Sequence, residues 1–112
     1  MSIDIGVMLR GQYPFGVDMV HMAEDLLEQA RLADSLGYDS ITKGSHYSTP
    51  DYQALQQIPL LARLTGEVKR ARLNAGIVIL PLHKPLDLAE QLATLDILCN
   101  GRLIFGVGIG YR

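Results

Sequence analysis

The three histidines of this 112-residue sequence, His21, His46 and His83, are its side chains that titrate closest to neutral pH. Their spacing matches no metal-binding motif, so we predict no metal site. His46 is the best candidate for proton transfer, because it follows a predicted strand and an imidazole exchanges protons near pH 7. His21 falls within a predicted helix, and His83 follows a later strand, where we interpret it as a loop residue.

Glycine alternates with apolar residues near the end of the chain, at Gly106, Gly108 and Gly110. Alternate residues of a strand share one face, so this face carries no side chains and leaves space for a ligand or for a tight interior. A dinucleotide-binding fingerprint would need another glycine where Tyr111 stands, and it would follow the first strand. An unrelated nucleotide-binding domain is therefore kept only as an alternative.

Composition narrows the class of protein. Hydrophobic residues make up 48% of the chain and the formal net charge is -2, with Lys and Arg scattered, so no nucleic-acid partner is expected. The single cysteine, Cys99, excludes an internal disulfide and fits a reducing compartment. The N-terminus does not resemble a signal peptide and apolar runs are short, which predicts a cytoplasmic protein without a membrane partner.

Strands and helices alternate in the predicted secondary structure. Strands are predicted over Ile3–Leu9, Ser40–Lys43, Arg72–Leu80 and Leu103–Ile109. Helices are predicted over Asp18–Leu36 and Leu86–Leu98. A further helix is predicted to end near Thr65 and either to begin at Pro59 or to kink there. In the third strand, Leu73, Ala75, Ile77 and Ile79 are expected on one face. The order predicts a parallel sheet, which is either an open sheet or half of an eight-stranded barrel.

Four segments, in order along the chain, resemble the bacterial luciferase-like monooxygenase family. They are Gly37-Tyr38-Asp39-Ser40-Ile41 leading to His46, Leu73 to Pro81 followed by Pro85, Leu95-Asp96-Ile97-Leu98 running into Asn100-Gly101-Arg102, and Gly106 to Tyr111. The resemblance implies an α/β fold of parallel β/α repeats that forms the N-terminal half, strands 1–4, of a (β/α)₈ TIM barrel. Residues 1–112 are then expected to be a single partial domain.

The same resemblance implies a flavin-dependent oxidoreductase. In the monooxygenase branch, reduced FMN and O₂ oxygenate a small organic substrate; in the alternative branch, the deazaflavin F420 transfers a hydride. A non-catalytic flavin-binding or assembly subunit is the other alternative. The expected partners are a small-molecule substrate and flavin or a flavin reductase, and the chain alone is expected to be inactive.

Site residues follow from the family positions. The resemblance implies that His46 is catalytic, although Ser45 stands where the family often has an acidic residue. It also implies a bulge or a non-proline cis peptide beneath the flavin at Gly76 and Ile77. Gly108 falls where some luciferases carry a reactive cysteine, so thiol chemistry is not expected there, and the resemblance implies that the face without side chains makes room for the ligand. The cofactor-binding residues are therefore expected to be Gly76, Ile77, Gly108 and Tyr111, and Arg112 is expected near the flavin or its phosphate.

Four strands of a barrel would leave two unpaired edges and an uncovered apolar face. We expect the chain either to be a fragment that lacks the C-terminal half, or to pair as a homo-oligomer, or to relax into an open sheet. A fragment is the preferred hypothesis.

Overall fold

Four parallel strands form the main sheet of the computed structural model, which describes residues 1–111. Along the chain they are β1 (Gly6–Leu9), β3 (Ser40–Lys43), β5 (Arg72–Ile79) and β6 (Leu103–Gly108). They are hydrogen-bonded in the order β1-β3-β5-β6, so each strand pairs with the next along the chain. The predicted parallel β/α order is confirmed. Arg112, which was expected near the flavin, lies outside the described residues.

Helices connect the strands of this sheet. Helix α1 (Met19–Ser35) begins after Asp18, whose carboxylate accepts hydrogen bonds from the backbone N–H groups of Val20 and His21. Helix α2 (Gln57–Leu64) includes Pro59 in its first turn, where no intrahelical donor is lost. Helix α3 (Pro85–Leu98) begins at a proline.

The core lies between the sheet and its helices. Its fully buried side chains come from all three helices and from the strands, and they include Leu26, Leu61, Leu64, Leu95, Ile41, Leu73 and Val78. Helix α1 turns its apolar stripe inward through Leu26, Leu27 and Ala30, as the three- and four-residue spacing predicts. This packing fixes the helices against one face of the sheet and leaves the carboxyl ends of the strands to carry loops.

The face pattern predicted for the third strand is wrong beyond Ala75. Leu73, Ala75 and Val78 are buried, whereas Ile77 is 43% exposed. The reason is an irregularity in β5: the Gly76–Ile77 peptide is cis, and the pairing with β6 shifts register between Ala75 and Val78. The irregularity expected at Gly76–Ile77 is therefore confirmed, and it reverses which residues of β5 face the helices.

Two further strands were not predicted. Strand β2 (Gln12–Tyr13) pairs antiparallel with β4 (Gln53–Ala54) in a small second sheet. β2 lies in the loop after β1, and β4 lies in the loop after β3. The second sheet therefore joins the two loops at the carboxyl ends of neighbouring strands. Strand β1 is also shorter than predicted, because it begins at Gly6 rather than Ile3.

Asp96 and Arg102 flank the turn between α3 and β6 and have separate partners. Asp96 accepts a hydrogen bond from the backbone N–H of Leu103, while the guanidinium of Arg102 donates to the carbonyls of Ala71 and Val68. Both residues stabilise the end of the sheet opposite the carboxyl ends. None of the helices within residues 1–111 is long and apolar enough to cross a membrane.

Candidate functional site

The loop from Gly44 to Tyr52 carries His46 at the carboxyl end of β3. This loop is held by the pairing of β2 with β4 and by a hydrogen bond from the Thr49 hydroxyl to the carbonyl of Tyr52. In parallel β/α folds the carboxyl ends of the strands meet at one edge, where ligands bind. The loop thus places a titratable side chain where such folds bind their ligands.

Both ring nitrogens of His46 have side-chain partners. The Tyr52 hydroxyl lies 3.0 Å from Nδ1, and the Gln12 amide nitrogen lies 3.2 Å from Nε2. The Tyr52 ring also meets the imidazole edge to face, with centroids 5.5 Å apart. Because the Gln12 amide nitrogen can only donate, Nε2 accepts, and a neutral ring then donates from Nδ1 to the Tyr52 oxygen. The contacts therefore favour the neutral imidazole with its hydrogen on Nδ1.

Electrostatics act in the same direction. Burial lowers the pKa of His46 below its ordinary value of 6.5, and the positive charge of Lys43 lowers it further. Ser45 is not an acidic partner: its hydroxyl donates to the Gln57 amide oxygen, and the ring nitrogens are contacted by Tyr52 and Gln12. His46 is thus set to be neutral at physiological pH and to accept a proton only from a donor brought close to it.

Lys43 is a buried cation behind this loop. It is the last residue of β3, its side chain is fully buried, and burial lowers its pKa. Its ammonium donates to the carbonyl of Gly44 at 3.2 Å, and no carboxylate within residues 1–111 pairs with it. An uncompensated buried charge of this kind acts over a longer range than a surface charge, because little water screens it.

A cavity of about 120 Å³ opens beside His46. Its polar lining includes Ser45, His46 and Thr49, and its apolar lining includes Ile79, Leu82 and Ile109. No lysine, arginine, aspartate or glutamate within the described chain lines it. The cavity therefore suits an uncharged, largely apolar group with a few hydrogen-bonding atoms.

The structure brings some of the predicted site residues together and leaves others apart. His46 and Tyr111 both line the cavity, whereas Gly76, Ile77 and Gly108 lie outside its lining, in β5 and β6. A methyl group on Gly108 would lie 2.3 Å from Cδ1 of Ile77, so the space expected beside that glycine is occupied by the Ile77 side chain. Gly110 does line the cavity.

Two neighbours of His46 were missed from the sequence. Gln12 and Tyr52 lie 34 and 6 residues from His46, and nothing in their spacing marks them as partners. Only the pairing of β2 with β4 brings their segments together. Within residues 1–111, no three His, Cys, Asp or Glu side chains gather in a cluster that could hold a metal ion.

Comparison with known proteins gives the family. The family model for the luciferase-like monooxygenases matches residues 4–112, and the chain belongs to that family. Among curated relatives, the 4-hydroxyprotoasukamycin monooxygenase of Streptomyces nodosus subsp. asukaensis is 32% identical over 108 residues. That match covers 96% of this chain and 29% of the relative, so the chain spans less than a third of its length.

Solved structures agree on the fold. The FMN complex of the oxygenating constituent of 3,6-diketocamphane monooxygenase from Pseudomonas putida, a type II Baeyer–Villiger monooxygenase, superposes with a TM-score of 0.88 at 22% identity. An F420-dependent secondary alcohol dehydrogenase superposes with a TM-score of 0.80 at 24% identity. The matches cover 99% and 98% of this chain but 30% and 32% of the two structures. The chain thus has the fold of strands 1–4 of a (β/α)₈ barrel.

Proposed function

We propose that this chain contributes the first half of an FMN-dependent monooxygenase barrel, with His46 as the residue that transfers protons beside the flavin. Reduced FMN would supply the two electrons that split O₂, with one oxygen atom entering a small organic substrate and the other leaving as water. The chain covers under a third of its relatives, so the complete polypeptide is the active unit of this proposal.

The cavity fits part of a flavin better than the whole of it. Its apolar lining and uncharged hydrogen-bonding groups suit a planar heteroaromatic ring. A phosphate group needs cationic or clustered N–H donors, which its described lining lacks. We therefore assign the cavity, with Tyr111 in its lining, to the ring end of the cofactor and propose that the phosphate binds elsewhere in the barrel. Gly76, Ile77 and Gly108 lie outside this lining and are proposed as cofactor contacts of the complete barrel only.

The donor that the Gln12 amide presents to Nε2 of His46, 3.2 Å away, is the observation that carries this proposal. A neutral imidazole can accept a proton at Nε2, and the Gln12 donor at that nitrogen disfavours keeping it. The imidazolium of His46 would then release this proton readily to the oxygen atom that is reduced to water. The buried Lys43 charge strengthens both tendencies by lowering the pKa of the ring.

The complete polypeptide tests this proposal with paired histidine variants. His46→Ala should lower flavin-dependent turnover by at least about 100-fold, the usual contribution of a positioned acid–base group, while flavin affinity is retained. His21→Ala is the matched control, because His21 is exposed on α1 away from the cavity, and it should leave turnover unchanged. Equal turnover in parent and His46→Ala would refute the proton-transfer role.

Cofactor titration separates the alternatives. Absorbance titration with FMN, F420 and NADPH should show saturable binding of FMN, with a separate flavin reductase supplying the reduced form. Preferential binding of F420 would favour the hydride-transfer alternative, which the superposition on an F420-dependent dehydrogenase supports at the level of fold. Flavin binding without turnover on any oxidisable substrate would favour a non-catalytic subunit.

A further inference from the structure

Gln57 is a buried amide whose hydrogen-bonding atoms are all engaged across three segments. It is the first residue of α2, and its side chain is 5% exposed. Its amide nitrogen donates to the carbonyl of Lys43 at 2.6 Å and to the carbonyl of Ile77 at 3.2 Å. Its amide oxygen accepts from the Ser45 hydroxyl at 2.8 Å. One side chain thus ties the end of β3, the residue before His46 and the irregular part of β5.

The orientation of this amide is determined by its partners. Two carbonyl acceptors require the NH₂ group on their side, and the Ser45 hydroxyl is left to donate to the oxygen. A buried backbone carbonyl is costly to leave unpaired, and the contact to the Lys43 carbonyl is buried while that to the Ile77 carbonyl is partly buried. The same contacts therefore also satisfy β3 and β5 at the point where their regular pairing ends. No other residue type offers two donors and one acceptor in this shape at this length.

We propose that Gln57 is a positioning residue that locks the Ser45–His46 segment to Ile77, so that the imidazole and this part of β5 keep a fixed spacing. The neighbouring Gln56 donates to the His46 carbonyl at 3.3 Å, but its side chain is exposed, so water competes for that contact. The buried Gln57 is therefore the connection that determines the spacing. Its importance for turnover rests on the proposed function.

NMR on the 112-residue chain tests the connection without any cofactor. Gln57→Met keeps the length of the side chain and removes all three hydrogen bonds. Two signals are followed: the pH titration of the His46 ring and the ¹³C shift of the Ile77 carbonyl. Gln91→Met is the matched control, because Gln91 is exposed on α3 and bonds only to Asp87 within its own helix. Lys43, Tyr47, Tyr52 and Tyr111, the titratable side chains around the ring, stay unchanged.

Gln57→Met should move both signals. The His46 loop gains water when it is released, so the ring pKa should rise toward its ordinary value. The Ile77 carbonyl signal should shift because that carbonyl loses its donor. Gln91→Met should move neither. A folded Gln57→Met chain with the parent ring titration and the parent Ile77 shift would overturn the proposal.

Ser45→Ala provides the test if Gln57→Met does not fold. This variant removes one hydrogen bond, so it should raise the His46 pKa by less than Gln57→Met does and leave the Ile77 carbonyl signal in place. Added to Gln57→Met, it should have no further effect, because both act through one contact. An unchanged ring titration in Ser45→Ala would overturn the proposal on its own.

In the complete polypeptide, Gln57→Met should lower kcat by about 10- to 100-fold while the flavin Kd changes little, since a small misplacement of a reacting group is costly. A fall in flavin affinity with kcat unchanged would contradict a positioning role. If the polypeptide binds no flavin at all, the proposed function fails, whereas the NMR comparison still decides the role of Gln57.

Discussion

Three independent influences favour the neutral form of the His46 imidazole over the imidazolium. The Gln12 amide presents a donor to Nε2, the surroundings withhold water, and the buried Lys43 places a positive charge behind the loop. Each would weaken imidazolium formation by itself, and all three act in the same direction. The basicity of this ring is therefore determined by its neighbours, and substituting one of them should change the pKa.

Gln12→Glu should raise the pKa of His46, because it puts a carboxylate where a donor now lies 3.2 Å from Nε2. The rise is measured by following the ring resonances against pH. In the parent chain the unfolded state binds the proton first as the pH falls below about 6.5, so folding stability declines there, and Gln12→Glu should reduce that decline. Gln29→Glu on the exposed side of α1 is the control. A ring pKa that stays put or falls in Gln12→Glu would show that the amide is not the controlling contact.

At the scale of elements, Asp34 determines where β5 begins. Its carboxylate, near the end of α1, accepts from the backbone N–H groups of Lys69, Arg70 and Ala71, which directly precede that strand. Burial alone would raise the pKa of Asp34, but these backbone donors and the charge of Arg70 outweigh it and lower the pKa below 3.8. Helix and strand are thus joined by one charged acceptor.

Asp34→Asn should lower the free energy of unfolding by about 2 kcal/mol, since hydrogen bonds to a charged group are lost. Because the folded-state pKa is depressed, the parent holds this contribution above pH 3.8 and loses it as the pH falls through the folded value. Denaturant melts at neutral and acidic pH measure both effects. Asp25→Asn on the same helix should change stability by under about 0.5 kcal/mol. Equal stability of Asp34→Asn and parent at neutral pH would contradict the assignment.

The sequence was most informative where a pattern is local. The helix after Asp18 was predicted because its apolar residues recur at three- and four-residue intervals, which is a local signal, whereas its capping by Asp18 was not predicted. The strand Ser40–Lys43 was predicted with the correct bounds although only Ile41 in it is strongly apolar. The two-residue strands β2 and β4 were missed, because they depend on pairing between distant segments. For β5, an irregularity at Gly76–Ile77 was expected, but the resulting reversal of its faces was not. Gln57 was missed for the same reason. A glutamine at the start of a helix is expected to be exposed, and its burial depends on contacts with Lys43, Ser45 and Ile77.

On the scale of the whole molecule, the outer strand β6 is incompletely covered. Phe105 and Val107 pair in register with Ala75 and Val78, which are fully buried on the helix side of the sheet. Phe105 and Val107 are nevertheless 45% and 49% exposed. They continue an apolar face that no helix within residues 1–111 covers, and exposed apolar surface beside an open strand edge favours association.

Val107→Lys should weaken self-association of the 112-residue chain, because a charge placed in an apolar contact must lose its hydration. Sedimentation velocity at micromolar concentrations should show larger species for the parent and a shift toward monomer for the variant. Val20→Lys, an exposed valine on α1, is the control and should associate as the parent does. A parent chain that is monomeric under these conditions would exclude association through this face.

The enclosed ammonium of Lys43 has a consequence for chemical labelling. Its amine is shielded by packed protein, while Lys69 and Lys84 are exposed to solvent. Acylating reagents should therefore modify those two first and reach Lys43 only when the strand end separates from α1. The rate at which Lys43 is acylated thus reports how often this edge of the protein opens transiently.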